Sequence, residues 1–152
     1  MLLSELLTTA RVKVPLGSRT KGEVLRELVE LVAAENANAD VEAILTSVRE
    51  REDVLSTGIG GGIAIPHGKT PHVPRLTLVA GVASEGIDFD ALDGRPVQLF
   101  FLLVGPEDAS GAHIKTLSRI SRLLRREDLR SRLASAQSAD AFVTVIRSSE
   151  AA

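Results

Sequence analysis

Cysteine, tryptophan and tyrosine are absent from this 152-residue chain, and phenylalanine, with 4 copies, is its sole aromatic side chain besides histidine. Lack of cysteine excludes a disulfide, a thiolate zinc site and a cysteine nucleophile within the chain. Lack of tryptophan and tyrosine removes the rings on which single-stranded nucleic acid stacks. Excess charge is missing too. The 18 basic and 20 acidic residues leave a formal net charge of -2, so no binding to nucleic acid or an anionic membrane is expected. No apolar run is long enough to span a bilayer. The opening MLLSELLTTARVK carries Ser4 and Glu5 among its apolar residues and no basic start, so it is a poor signal peptide. A soluble cytoplasmic protein without direct membrane insertion is expected.

What is present suffices for one compact domain over residues 1–152, with 44% hydrophobic and 25% charged residues. Val12, Val14 and Leu16 alternate with polar neighbours as a half-buried strand does. Thr20 and Glu23 have capping-box spacing, ahead of a helix with Val24, Leu25, Leu28, Leu31 and Val32 on one side and an end near Asn36. A second helix starts near Asp40, with Val41, Ile44, Leu45 and Val48 inward. Leu76 to Ala83 reads as a strand, and the almost wholly apolar Val97 to Val104 as a central strand covered on both faces. Helical spacing returns from Ala112 to Arg126, with shorter helices near Leu129 to Leu133 and, after a Ser138 cap, Ala141 to Ile146. Strands and helices interleave, which predicts an α/β fold: a three-layer α/β/α sandwich.

The most informative stretch is Arg51 to Lys69, REDVLSTGIGGGIAIPHGK, in which a glycine-rich segment precedes Pro66 and His67. A neutral imidazole can attack phosphorus, glycine-rich backbone can crowd N–H groups around an anion, and a guanidinium can grip phosphate bidentately. Gly58, Gly60, Gly61 and Gly62 are therefore candidate phosphate-loop residues, with Arg51 a candidate phosphate or partner contact. His113, in the first turn of a helix expected from Ala112, could hydrogen-bond the phosphoryl group. Taken singly these residues read more blandly, as a loop, a solvated helix-end charge and a satisfied helix histidine.

Other phosphate and metal motifs fail on spacing. A dinucleotide fingerprint from Gly58 and Gly60 would need glycine where Ile63 stands, and Gly62 lies one residue too far upstream of Gly68-Lys69-Thr70 for a Walker-type loop. His67 and His72 lack the His-Glu-x-x-His arrangement of a metalloprotease, and no metal or cofactor is expected.

Leu55 to Gly68, LSTGIGGGIAIPHG, resembles the active-site signature of the fructose/mannitol-class (type 2) enzyme IIA domains of the bacterial phosphoenolpyruvate-dependent phosphotransferase system. Its Ser-Thr-Gly-Ile-Gly wording is most similar to the nitrogen-regulatory branch. Further matches are Lys21-x-Glu23-Val24-Leu25, Ile87 to Gly94, the LFFLLVGPE strand and loop, and His113-x-x-x-Leu117, so the likeness spans essentially the whole chain. The resemblance implies a mixed sheet in the sandwich, phosphorylation of His67, a phosphate-neighbouring His113 and a functional Arg51. It also implies HPr or a nitrogen-branch HPr as phosphoryl donor, and an enzyme IIB or regulatory target proteins as partner. The chain departs from the pattern at Gly60 to Gly62, where relatives often carry a larger polar residue in the middle. His72 matches no family site and reads as surface. The favoured reading is a phosphocarrier of nitrogen-regulatory type. The alternatives are a sugar-transport enzyme IIA that passes phosphate to a separate IIB cysteine, and a binding module of the same fold that is not phosphorylated. A hydrolase built on paired histidines with Asp88 or Asp93 has no motif behind it.

Overall fold

The computed structural model describes residues 2–36 and 39–151. In chain order its elements are α1 (Leu3–Leu6), β1 (Val12–Lys13), α2 (Lys21–Ala34), α3 (Val41–Val54), β2 (Gly58–Gly60), β3 (Ile63–Ala64), β4 (His67–Lys69), β5 (Thr77–Ile87), β6 (Val97–Gly105), α4 (Ser110–Leu123), α5 (Glu127–Ala134) and α6 (Ala139–Ala151). The sheet order is β1-β5-β6-β3-β2, and β4 also pairs with β6. β5 and β6 run antiparallel, whereas β3 and β4 lie parallel to β6, so the sheet is mixed.

β6 owes its apolar sequence to cover on both faces. Phe100, Leu102 and Val104 join the core under α2 and α3, and Leu99, Phe101 and Leu103 join the one under α1, α4, α5 and α6. A strand with both faces buried keeps no polar alternation. The three layers expected from the sequence are thus present: two helices, one sheet, four helices.

Local signals set the helix starts. Thr20 Oγ1 accepts from the Glu23 N–H at 3.2 Å and the Glu23 carboxylate accepts from the Thr20 N–H at 3.2 Å, completing the capping box. The Asp40 carboxylate accepts from the Ala43 N–H and the Ser138 hydroxyl from the Ala141 N–H. In α2, Val29 is buried and Leu31 only partly so, a rotation of the expected stripe.

Several boundaries differ from expectation. Only Val12 and Lys13 of the first alternating segment pair with β5, because Pro15 has no N–H to extend the ladder, although the Leu16 N–H reaches Val82 O at 2.8 Å. β5 continues past Ala83 to Ile87 through an irregularity after Val82. α4 runs from Ser110 to Leu123 rather than from Ala112 to Arg126, and α6 is longer than expected. The glycine segment is no open loop. Gly58–Gly60 is a strand, and Gly60, Gly61 and Gly62 make a turn with φ of +99°, +67° and +80°, a conformation open chiefly to glycine.

The chain ends are tied to the helical layer below the sheet. The Glu150 carboxylate accepts from the Leu3 N–H at 2.7 Å, the Ser4 N–H at 2.8 Å and Arg119 Nε at 2.9 Å. Unpaired N–H groups at the start of α1 are thereby satisfied by α6, which also grips α4.

Candidate active site

Pro66 separates β3 from β4, yet both strands follow the same edge of β6. Leu103 N–H donates to Pro66 O at 3.0 Å and Thr70 N–H to Gly105 O at 2.9 Å. In a parallel ladder with this register, the main-chain groups of Gly68 face β6 and those of His67 and Lys69 face the open edge. Gly68 lies against α3, where an added Cβ would stand 3.3 Å from Val48 N and 3.4 Å from the Ser47 carbonyl carbon. Its missing side chain lets α3 close over β4.

α3 and α4 overhang this edge from opposite sides and enclose an open cleft of about 390 Å³. Ser47 and Arg51 reach it from α3, His67 and Lys69 from β4, and His113 and Leu117 from α4. The His67 and His113 ring centroids are 5.7 Å apart in an edge-on arrangement. His67, Arg51 and His113, far apart in sequence, are therefore brought together as expected.

His67 Nδ1 lies 2.9 Å from Ile65 O. A carbonyl oxygen can only accept, so Nδ1 carries the hydrogen and Nε2 keeps the lone pair. Burial pushes this imidazole below its ordinary pKa of 6.5, and Arg51 and Lys69 press the same way against the opposing pull of Ile65 O and Glu52. A neutral imidazole near pH 7, with the Nε2 lone pair free, is the result.

His113 is only 3% exposed, and its Nδ1 is buried without a hydrogen-bond partner among the described residues. Burial, reinforced by His67 and Lys69, depresses its pKa to about 4. Arg51 donates from Nη1 to Leu55 O at 2.8 Å, which anchors the guanidinium at the end of α3 and leaves its other N–H groups for the cleft. Arg51 and Lys69 form no salt bridge among the described residues.

Behind the cleft lies a polar cluster. Glu52 is 5% exposed, and its carboxylate accepts from Thr57 N–H, at 3.1 Å to each oxygen, and from the Thr57 hydroxyl. Lys21 Nζ pairs with it at 2.9 Å while lying 4.7 Å from the Phe89 ring centroid. This cluster fixes the chain between α3 and β2. Glu52 sits four residues after the inward Val48, so the stripe Leu45, Val48, Glu52 was readable as one buried face. Ser47, four residues before Arg51, and Lys69, two after His67 on the same strand face, carried similar positional signals.

The glycines are placed elsewhere. Gly62 O accepts from the N–H groups of Gln98 and Leu99, near the start of β6, whereas His67 pairs with Leu103 near its end. At roughly 3.3 Å per residue of strand, Gly62 is about 16 Å from His67. Gly61 and Gly62 instead line a second cleft with Arg95 and Arg130. The Gly61 N–H is also taken by the Asp93 carboxylate at 3.2 Å. The turn's φ values account for Gly60, Gly61 and Gly62 without a phosphate, and the close approach of Ala91, 2.8 Å from where a Cβ would stand, accounts for Gly58.

Comparison with known proteins decides the family. Residues 5–149 match the family model described as "Phosphoenolpyruvate-dependent sugar phosphotransferase system, EIIA 2". The chain belongs to this EIIA family. The EIIA domain is 38% identical over 146 residues to the fructose-specific EIIABC component of Bacillus subtilis, covering 96% of the chain but 23% of that protein, so it spans about a quarter of that relative. It is 38% identical over 144 residues to the nitrogen regulatory protein of Pseudomonas aeruginosa, covering 95% and 94% of the two chains. Among solved structures, nitrogen regulatory protein IIA-Ntr of Neisseria meningitidis superposes with a TM-score of 0.87 at 29% identity, covering 95% and 98% of the chains. The mannitol IIA of Escherichia coli shares the fold, with a TM-score of 0.78 at 22% identity over 92% and 98%. The EIIA domain is thus a phosphotransferase-system component, and among its described residues no helix is long and apolar enough to cross a membrane.

Proposed function

We propose that the EIIA domain, acting as one unit over residues 1–152, is a phosphocarrier of nitrogen-regulatory type in which His67 Nε2 accepts a phosphoryl group from phospho-HPr or its nitrogen-branch counterpart. The observation that carries this reading is the Nδ1 hydrogen bond to Ile65 O, which leaves Nε2 as the free nucleophile in the cleft shared with Arg51 and His113. The Nε2–P bond forms as the donor's N–P bond breaks, and the bonding pair returns to the donor imidazole. His67 need not lose a proton, because its hydrogen stays on Nδ1 against Ile65 O. Arg51 grips the arriving oxygens bidentately, and His113 offers one hydrogen bond.

The Ser-Thr-Gly-Ile-Gly wording, and the likeness to IIA-Ntr of N. meningitidis along nearly the whole of both chains, support a regulator that binds cytoplasmic target proteins according to its phosphorylation state. Phosphorylation adds about -1.5 to -2 charges at pH 7 to a cleft whose charged lining is cationic. The 38% identity to the B. subtilis fructose component favours a second reading, delivery of phosphate to a cysteine on a separate enzyme IIB, since this chain has no cysteine. Incubation with phosphoenolpyruvate, enzyme I and HPr is expected to label the wild type with acid-labile phosphate and to leave His67→Ala unlabelled. Equal labelling of both proteins would remove His67 from the mechanism.

A further inference from the structure

The cleft holds one charged residue to which neither the family signature nor the roles above give a function. Lys69 lies two positions beyond His67 on β4, so both side chains project from the same face of the strand. Both line the cleft with His113. Lys69 is exposed and meets no carboxylate among the described residues, and no acidic side chain lines the cleft.

His113 cannot readily supply positive charge there. A protonated imidazole needs acceptors for both N–H groups, and its buried Nδ1 has none. Stranding a buried N–H is costly, so His113 stays neutral and offers a hydrogen on Nε2. The charge of a transferred phosphoryl group must then be met by Arg51, part of whose guanidinium is committed to Leu55 O, and by another cation.

We propose that Lys69 is a further catalytic residue, whose ammonium touches the phosphoryl group on His67 and, with Arg51, supplies the positive charge that holds it. This rests on the phosphocarrier reading. An ammonium on a flexible stem suits such a role, since it can follow the group as the N–P bond to the donor breaks and the bond to Nε2 forms. Lys69 already acts on both histidines, whose protonated forms it disfavours.

The test uses the whole domain, loaded by phosphoenolpyruvate, enzyme I and HPr, in wild type, Lys69→Gln and Lys69→Arg. Phosphorus NMR follows ionisation of the phosphoryl group with pH and needs no partner bound. A touching cation favours the dianion, so the midpoint should rise in Lys69→Gln and return in Lys69→Arg. The equilibrium ratio of phospho-EIIA to phospho-HPr should fall about tenfold in Lys69→Gln, the scale of one solvent-screened, charge-assisted hydrogen bond. An unchanged midpoint overturns the assignment, even if the KM for HPr rises, because a lysine that only docks the donor would act on KM alone. A wild type that takes up no phosphate overturns the phosphocarrier reading and Lys69's role together; a labelled wild type with an unmoved midpoint in Lys69→Gln removes Lys69 alone.

Discussion

Replacing Glu52 by glutamine should reveal how strongly the cluster behind the cleft is built. Its carboxylate accepts from Thr57 N–H through both oxygens, from the Thr57 hydroxyl through one and from Lys21 through the other. Glutamine keeps the volume, but either orientation of its amide points an NH2 at a donor. With the oxygen toward the Thr57 hydroxyl, the amide nitrogen faces Lys21 and the 2.9 Å ion pair is lost. The Glu52 side chain is 2% exposed and that of Lys21 26%, so solvent screens the pair only partly. Losing one charged hydrogen bond of this kind costs about 2–3 kcal/mol. For a domain of this length that lowers the melting temperature by roughly 5–10 °C. Calorimetry on Glu52→Gln, Lys21→Met and the double variant measures the coupling, expected at about 1–2 kcal/mol. A Glu52→Gln melting point within about 1 °C of wild type, a shift far below that expected for so buried a pair, would refute the reasoning. Labelling of His67 should slow as well, because Arg51 adjoins Glu52 and its anchor, Leu55 O, lies in the connection that the cluster fixes.

NMR titration should find the His113 midpoint near 4; a midpoint at 6.5 would mean that its nitrogen is not sealed from water. Because the folded pKa is depressed below 6.5, His113 contributes stability that is intact above pH 6.5 and lost as pH falls toward 4. His67 should likewise titrate below 6.5, so the rate at which it accepts phosphate should fall to half only at a pH below 6.5; single-turnover rates between pH 5 and 8 check this. Burial raises the Glu150 carboxyl, but the N–H groups of Ser4 and Leu3 together with Arg119 outweigh it and hold the pKa below 4.5. Its contribution is therefore present above pH 4.5 and lost as pH falls through the lower folded value, so the urea midpoints of Glu150→Gln and wild type should converge in acid. Gly68→Ala should cost about 1–2 kcal/mol by forcing the α3 backbone from β4, with labelling slowed more than in a surface control.

Much of the scaffold was legible because its signals are local. The Thr20–Glu23 box, the Asp40 cap and the two-faced apolar run of β6 each follow from a few adjacent residues. The cleft was legible in part. His67 and Arg51 stood in one motif, and His113 entered through a helix start together with the family likeness. Proximity along the chain misled for the glycines, since extended strand turns a short separation in sequence into a long one in space. Glu52 hid inside Arg49-Glu50-Arg51-Glu52-Asp53, where charge suggested solvent and only the spacing from Val48 showed burial. Strand pairings of two or three residues, such as β3 and β4 on β6, depend on partners more than thirty residues away, and no local pattern announces them.

The acceptor that fixes which nitrogen of His67 is left free sits just two residues back along the chain, at Ile65. The cations lie apart from that acceptor, Arg51 on α3 and Lys69 two residues beyond His67 along β4. On the proposed phosphocarrier reading, which atom reacts and how firmly its cargo is retained are consequently set by different groups. That reading predicts that a substitution on α3 or at Lys69 loosens the grip, and so changes the life of a regulatory signal, while the same nitrogen goes on receiving it.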